Sequence, residues 1–359
     1  MTLNACGPEL GLRRTGDGSF SLYSPEFGEG FHCADGALAE ARRVFVAPAQ
    51  LERFSPGSRL RVLEVAVGTG TNTASLLQAS RERQLELDWW GLELDPLPLQ
   101  LALADAGFRH QWPEPVLVQL QGLTSSERLL WGEARSRLPE LQSRLGGDCD
   151  LVLLDAFSPR HCPQLWSVEF LADLAALLAP EGRLLTYCSA AAVRRTLGLS
   201  HLQLAAICSP VSNSPASSGP ATSGTAASGT ATSSPAASGP ATSTGATTDG
   251  LSAIEPMAWS AGTVASPTAL PMAGVLRPLS PMELEHLACR AGEPYRDPSR
   301  QGTAAEILAR RQQEQRLSTA EASRQWQRRW GLARRHHQHQ TSAELGPDPA
   351  PPDRAERAR

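Results

Sequence analysis

The sequence predicts an α/β fold: a doubly wound, mostly parallel sheet, broken by one disordered insertion and followed by a helical C-terminal extension. Three observations point there. Short apolar runs alternate with segments whose apolar residues recur at helical spacing. The first clear run ends in an acid and turns through two glycines. A later run ends abruptly at an aspartate. Alternation of strand and helix implies parallel strands covered on both faces.

The strand candidates are 61–67, 87–94, 129–131, 149–154, 183–188 and 202–208, with a last one at 258–265. Segments 36–45, 71–84, 97–106 and 166–178 have helical periodicity, and Pro180-Glu-Gly182 reads as the turn that ends the last of them. From 209 to 250 the chain is almost entirely Ser, Thr, Ala, Gly and Pro, with a period of ten. It offers nothing large to bury, so ordering it would cost backbone entropy without return. The implied organisation is a lid segment over 1–50, a core over 51–208, a disordered insertion over 209–250, and the last core strand with its loop over 251–277. A helical extension over 278–335 and a disordered tail over 336–359 complete it. Within the extension, Ser280 is set to cap a helix with Pro281 first and Glu283 third, and 303–329 reads as one polar helix.

Composition narrows the function. The 359 residues carry a formal charge of −4, so RNA contact would need a local basic patch. The stretch 290–335, with eleven Arg against five acids, is the candidate, against the simpler expectation of a solvated helix laced with ion pairs such as Glu306–Arg310. Every basic residue is Arg, which excludes Schiff-base and Walker-type lysine chemistry. Seven Cys without a C-x-x-C pair argue against zinc and against a disulfide framework. No apolar run suits a signal peptide or a membrane span, and a reducing cytoplasm is the expected location.

The strongest local signal is Glu64-x-Ala66-x-Gly68-x-Gly70-x-Asn72. Glycines at a strand–helix turn let the backbone approach a ligand. In a dinucleotide enzyme such a turn holds pyrophosphate. In a methyltransferase it faces the methionine and ribose portions of the cofactor. The dinucleotide fingerprint itself is missing. Glu93 and Asp95 compete for ribose hydroxyls at the next strand end, and Glu93 is preferred because Pro96 places Asp95 beyond the strand. Glu133, after the following short strand, can accept from an adenine amino group. Asp155, followed by Phe157 and Pro159, stands where open α/β sheets bind ligands. There a carboxylate could orient or deprotonate an amine while the ring flanks a planar base. A capped loop or a tight turn would account for each feature singly.

Taken in order, several motifs resemble the MnmC-type methyltransferase domain. They are Tyr23-Ser-x-x-Phe-Gly-Glu29, His32-x-x-x-Gly36-Ala-x-x-Glu40, Glu64-x-x-x-Gly-Thr-Gly-x-Asn72, Leu154-Asp-Ala-Phe-Ser-Pro159, Leu165-Trp-Ser167 and Thr186 through Arg195. The resemblance spans about residues 19 to 197, and Trp259 through Val264 looks like the family's last strand. It implies a class I, Rossmann-like methyltransferase that uses S-adenosyl-L-methionine, with neither FAD nor metal. Glu64, Gly68, Gly70, Asn72, Glu93, Glu133 and Asp155 would hold the cofactor, and Asp155 and Phe157 would serve catalysis. The implied reaction is N-methylation of the 5-aminomethyl group of wobble uridine 34, in the anticodon region of tRNA. A separate FAD-dependent oxidoreductase could act upstream, since no such domain follows here. Ala66 departs from the family's glycine, and a strand-end conformation would accommodate it. A small-amine methyl or aminopropyl transferase, or a non-catalytic partner in tRNA modification, are the alternatives.

Overall fold

The computed structural model describes residues 9–208 and 260–332. The expected insertion at 209–250, the approach 251–259 with Trp259, and the tail 336–359 lie outside the described residues.

In chain order the strands are β1 (Gly11–Arg14), β2 (Phe20–Ser24), β3 (Glu29–Gly30), β4 (Arg59–Val65), β5 (Glu86–Glu93), β6 (Leu129–Trp131), β7 (Cys149–Leu154), β8 (Leu178–Thr186), β9 (Gln203–Ile207), β10 (Gly262–Ser266) and β11 (Leu276–Arg277). The first three form a small antiparallel sheet. The other eight form the central sheet in the order β11-β9-β10-β8-β7-β4-β5-β6. Strands β4 to β8 are parallel. Strand β10 runs antiparallel between β8 and β9, and β11 is antiparallel to β9. The chain starts the sheet at β4, winds outward through β5 to β6, then returns to place β7 on the other side of β4. Connections leave β4 and β7 in opposite directions, which opens a crevice at their carboxyl ends.

The buried residues of β4 and β7 divide by alternation, as strand geometry requires. Leu63, Val65, Val152 and Leu154 pack on one face with Trp166, Phe170 and Leu171. Leu60, Val62, Leu151 and Leu153 pack on the other with Trp89 and Leu185. Burial on both faces explains why these strands read as continuous apolar runs rather than as alternating patterns.

Three elements differ from the sequence expectation. The helix expected over 166–178 is Val168–Ala175, and Pro180-Glu-Gly182 lies within β8 rather than ending a helix. A Cβ at Gly182 would meet the Cys149 carbonyl at 2.4 Å, so the glycine permits a close strand approach beside a register shift. Helix Ala134–Leu145 was hidden by Pro139 in its interior; it forms because Leu138, Leu141 and Leu145 bury against the sheet. The single polar helix expected over 303–329 is two, Ala304–Leu317 and Ser323–Arg329, because Ser318 is extended and its hydroxyl donates to Glu293 at 2.7 Å.

The extension is docked, not solvated. Val168 N–H donates to the Tyr295 carbonyl at 2.9 Å, and Asp297 N–H donates to Glu169 at 2.6 Å. Arg300 pairs with Asp173. Arg310 reaches the Arg296 carbonyl, whereas Glu306 is spent on the Thr303 cap. The capping box of Ser280 and Glu283 forms as the sequence indicates. Glu283 also anchors a buried ion pair. Arg194, 2% exposed, donates to Glu283, to Ser260 and to Thr263 on β10. Arg277 adds a second pair to Glu283 at 2.6 Å, and these arginines hold its carboxyl down at about 2. Its stabilisation is therefore present above the ordinary carboxylate range and lost as pH falls through about 2. Glu283→Gln, which leaves Arg194 buried with an incomplete partner set, should lower the urea-unfolding free energy by about 3 kcal/mol at neutral pH.

Candidate active site

A cavity of about 590 Å³ opens at the carboxyl ends of β4, β5, β6 and β7. Its floor is the turn after β4. Ala66 (φ +63°), Gly68 (φ +57°) and Gly70 (φ +77°) are all left-handed there. Ala66 is thus not in the strand-end conformation expected for it, and a Cβ in this region costs about 1 kcal/mol. Gly68 lies on the cavity wall, and a Cβ there would approach the Phe31 ring at 3.3 Å. Gly70 caps helix Thr71–Glu82 behind the wall, where a Cβ would meet Leu99 at 2.9 Å.

Glu93 closes β5 at the cavity edge. Its Oε2 accepts from Gly68 N–H at 2.7 Å, and its Oε1 accepts from the Leu94 and Asp95 N–H groups. Burial raises its carboxyl nonetheless. Asp95 also lines the cavity and caps the start of helix Leu97–Ala104 through Leu97 N–H. Glu133 lies on the wall beyond β6. It caps helix Ala134–Leu145 through Ser136 N–H and pairs with Arg135, which in turn pairs with Asp297 of the extension.

Asp155 stands at the end of β7 and faces the cavity, its Oδ2 accepting from Asn72 Nδ2 at 2.7 Å. Burial, and then the Glu40 carboxyl, raise Asp155 well above the usual carboxylate range. Phe157 stacks on Phe27 with ring centres 4.4 Å apart and meets Phe31 edge-on. Tyr187 closes the same wall and donates to the Ala156 carbonyl at 2.8 Å.

Of the residues singled out in the sequence, Gly68, Glu93, Glu133, Asp155 and Phe157 share this cavity. Glu64, Gly70 and Asn72 are not on its wall. Asn72 reaches it only through Asp155. Glu64 is fully buried behind the glycine turn, where Thr73 and Trp89 donate to one oxygen. Glu40, Phe27 and Phe31, which the sequence placed in the lid segment and its motifs without assigning them a site role, also line the cavity, more than 100 residues upstream of Asp155. His32 is on the wall as well, yet burial lowers it to about 4, so it is neutral at physiological pH. Among the described residues the lining has seven carboxyl groups (Glu26, Glu29, Glu40, Glu93, Asp95, Glu133, Asp155) and no arginine. Such a lining suits a cationic ligand and disfavours pyrophosphate.

Comparison with known proteins agrees with this geometry. Residues 100–206 match a family described as S-adenosyl-L-methionine-dependent methyltransferase. The bifunctional protein MnmC of tRNA 5-methylaminomethyl-2-thiouridine biosynthesis from Azoarcus sp. is 33% identical over 198 residues, 49% of this chain and 30% of that protein. Its counterpart from Pseudomonas paraeruginosa is 33% identical over 193 residues, 48% and 29% of the two chains. The match thus spans less than a third of these relatives. The crystal structure of MnmC2 from Aquifex aeolicus superposes with a TM-score of 0.62 at 22% identity, covering 88% of this chain and 87% of that one, which is a likeness of fold. About half of this chain is thus similar to part of the MnmC proteins, and residues 100–206 match the S-adenosyl-L-methionine-dependent methyltransferase family.

The cofactor of this methyltransferase is S-adenosylmethionine, and the site residues fit it. The missing Cβ at Gly68 leaves room against Phe31, and the carboxylates suit a sulfonium and an ammonium. Among the described residues no cluster of His, Cys, Asp and Glu could hold a metal ion, and no helix is long and apolar enough to cross a membrane.

Two substitutions test the floor of the site. Ala66→Gly relieves the left-handed methyl-bearing residue and should raise the unfolding free energy by about 1 kcal/mol in urea titrations. Burial pushes Glu64 up to about 7. Its folded form therefore holds a proton that the unfolded chain releases near 4.5, and stability falls as pH rises through about 7. Glu64→Gln should remove that loss, about 3 kcal/mol by pH 9, and flatten the melting temperature between pH 5 and 9.

Proposed function

We propose that this protein transfers a methyl group to the 5-aminomethyl group of wobble uridine 34 in tRNA, giving 5-methylaminomethyl-(2-thio)uridine. The observation that carries this function is Asp155: a half-buried carboxyl at a strand end, facing a cavity that it shares with Phe157 and that the described residues line with carboxyls and no arginine. A free aminomethyl group is protonated at neutral pH and cannot attack until it loses a proton. A carboxylate raised by burial is a stronger base than one in water, and it is rightly placed to accept that proton. Phe157, held flat by Phe27, offers a face for a pyrimidine ring. Gly68, Glu93 and Glu133 hold the cofactor from the glycine turn to its base end, and when bound the cofactor supplies an electrophilic methyl group. The N-terminal segment around Phe27 and Phe31 excludes water from the amine and helps hold it in line with that methyl. The printed names of the curated relatives support the choice of substrate. An oxidoreductase supplied as a separate chain would produce the free aminomethyl group upstream, and the cytoplasm is where tRNA meets both.

The test is nucleoside mass spectrometry of tRNA bearing 5-aminomethyl-2-thiouridine, incubated with the full chain and S-adenosylmethionine. One methyl group should be gained at that nucleoside. Asp155→Asn should lower kcat about 100-fold at neutral pH while cofactor affinity by calorimetry changes little. Absence of the methyl, or equal transfer to simple alkylamines, overturns the assignment.

A further inference from the structure

Glu40 lines the same cavity as Asp155. It closes a short α-helical turn, Ala37–Glu40, and leads directly into a π-helical segment, Ala41–Val46. π-Helical turns are rare and concentrate at functional sites, because the wider turn re-aims the side chains at its start. The turn is set from outside the cavity: a Cβ at Gly36 would lie 2.3 Å from Asp17, whose carboxyl accepts from Ala39 N–H and from Ser19. One oxygen of Glu40, Oε2, accepts from Cys33 N–H at 2.8 Å, which fixes the side chain against the loop that carries His32.

Resting on the function proposed above, we propose that Glu40 is the second carboxyl of the reacting centre: it binds the ammonium form of the incoming amine by charge, and Asp155 removes the proton. An N–H bond of the ammonium breaks, its electron pair stays on nitrogen, and the proton bonds to an Asp155 carboxylate oxygen. The two carboxyls differ in a way that assigns these roles. Asp155 is held by Asn72 and is raised first by burial and then by Glu40, so it is a stronger base than a carboxylate in water. Glu40, anchored by the Cys33 N–H, is the group assigned to the charge of the amine. The other titratable groups facing the pair are Glu64 beneath the glycine turn, Tyr187 on β8's side, Glu29 on β3, and Cys33 and His32 beside Glu40. Burial keeps Tyr187 and Cys33 protonated and His32 neutral at physiological pH, so none of these groups sets a cation against Glu40.

Glu40→Gln separates charge from structure, because the amide oxygen still accepts from Cys33 N–H. With tRNA bearing the aminomethyl nucleoside and saturating cofactor, E40Q should lower kcat/KM about tenfold at pH 7. The deficit should shrink towards pH 10, where the amine is already neutral. A deficit independent of pH, or none, overturns the proposal. Loss confined to Glu40→Ala would mark a merely structural anchor. A second measurement needs no substrate: in protein labelled with 13C-aspartate, Asp155 should titrate at lower pH in E40Q than in the unsubstituted chain, because a neighbouring negative charge is gone. An unchanged titration overturns the pairing. If the unsubstituted protein fails to methylate the amine, the proposed function fails by itself, and the titration still decides whether the two carboxyls act together.

Discussion

The Glu93 carboxylate accepts on both of its oxygens, from Gly68 N–H on one side and from Leu94 and Asp95 N–H on the other. Through that one side chain the turn after β4 is tied to the end of β5. The turn cannot hold its shape by local preference, since three of its residues, one of them an alanine, are left-handed. External N–H to carboxylate bonds, stronger than neutral ones, offset that strain. Asn72, one turn into the following helix, then makes the same kind of tie to Asp155 at the end of β7. Three neighbouring strand ends are thereby locked around one cavity, and the site depends on that lock before any ligand arrives.

Charge is the second constraint. In this half-enclosed cavity burial first, and then a neighbouring carboxyl, raise Glu93 and Asp155. An empty cavity of this kind is costly to the fold, and a cationic ligand relieves the cost. Binding energy and specificity then come from one source. A phosphate-bearing ligand gains nothing from such a wall, whereas a cationic ligand does.

The C-terminal extension takes part in the same construction. Asp297 is fully buried and pairs with Arg135, which also pairs with Glu133 on the cavity wall. Arg300, Arg310, Arg311 and Arg329 are engaged by carboxylates or backbone carbonyls. Several arginines of 290–335 thus also fasten the extension to the core or to itself.

The sequence by itself determined the central strands and the carboxyl-end residues. The runs at 61–67 and 149–154 are buried on both faces, so apolarity marks them, the runs at 87–94 and 129–131 keep enough apolar residues to be read, and the acid or glycine that ends each run marks the ligand edge. Glu93, Glu133, Asp155 and Phe157 were legible for that reason. The tertiary structure decided everything that depended on a partner distant in the chain. Glu64, which the motif placed at the ligand, turned inward because Trp89 and Thr73 offered donors beneath the turn. The polar stretch 303–329 broke at Ser318 because Glu293 accepts its hydroxyl. Glu40 and Phe27 joined the site because a small N-terminal sheet folds across the ends of strands that begin far downstream. Local patterns record which face of an element is apolar. They do not record which carboxylate, ring or carbonyl from elsewhere meets it, and that meeting is what turns a sheet edge into a site.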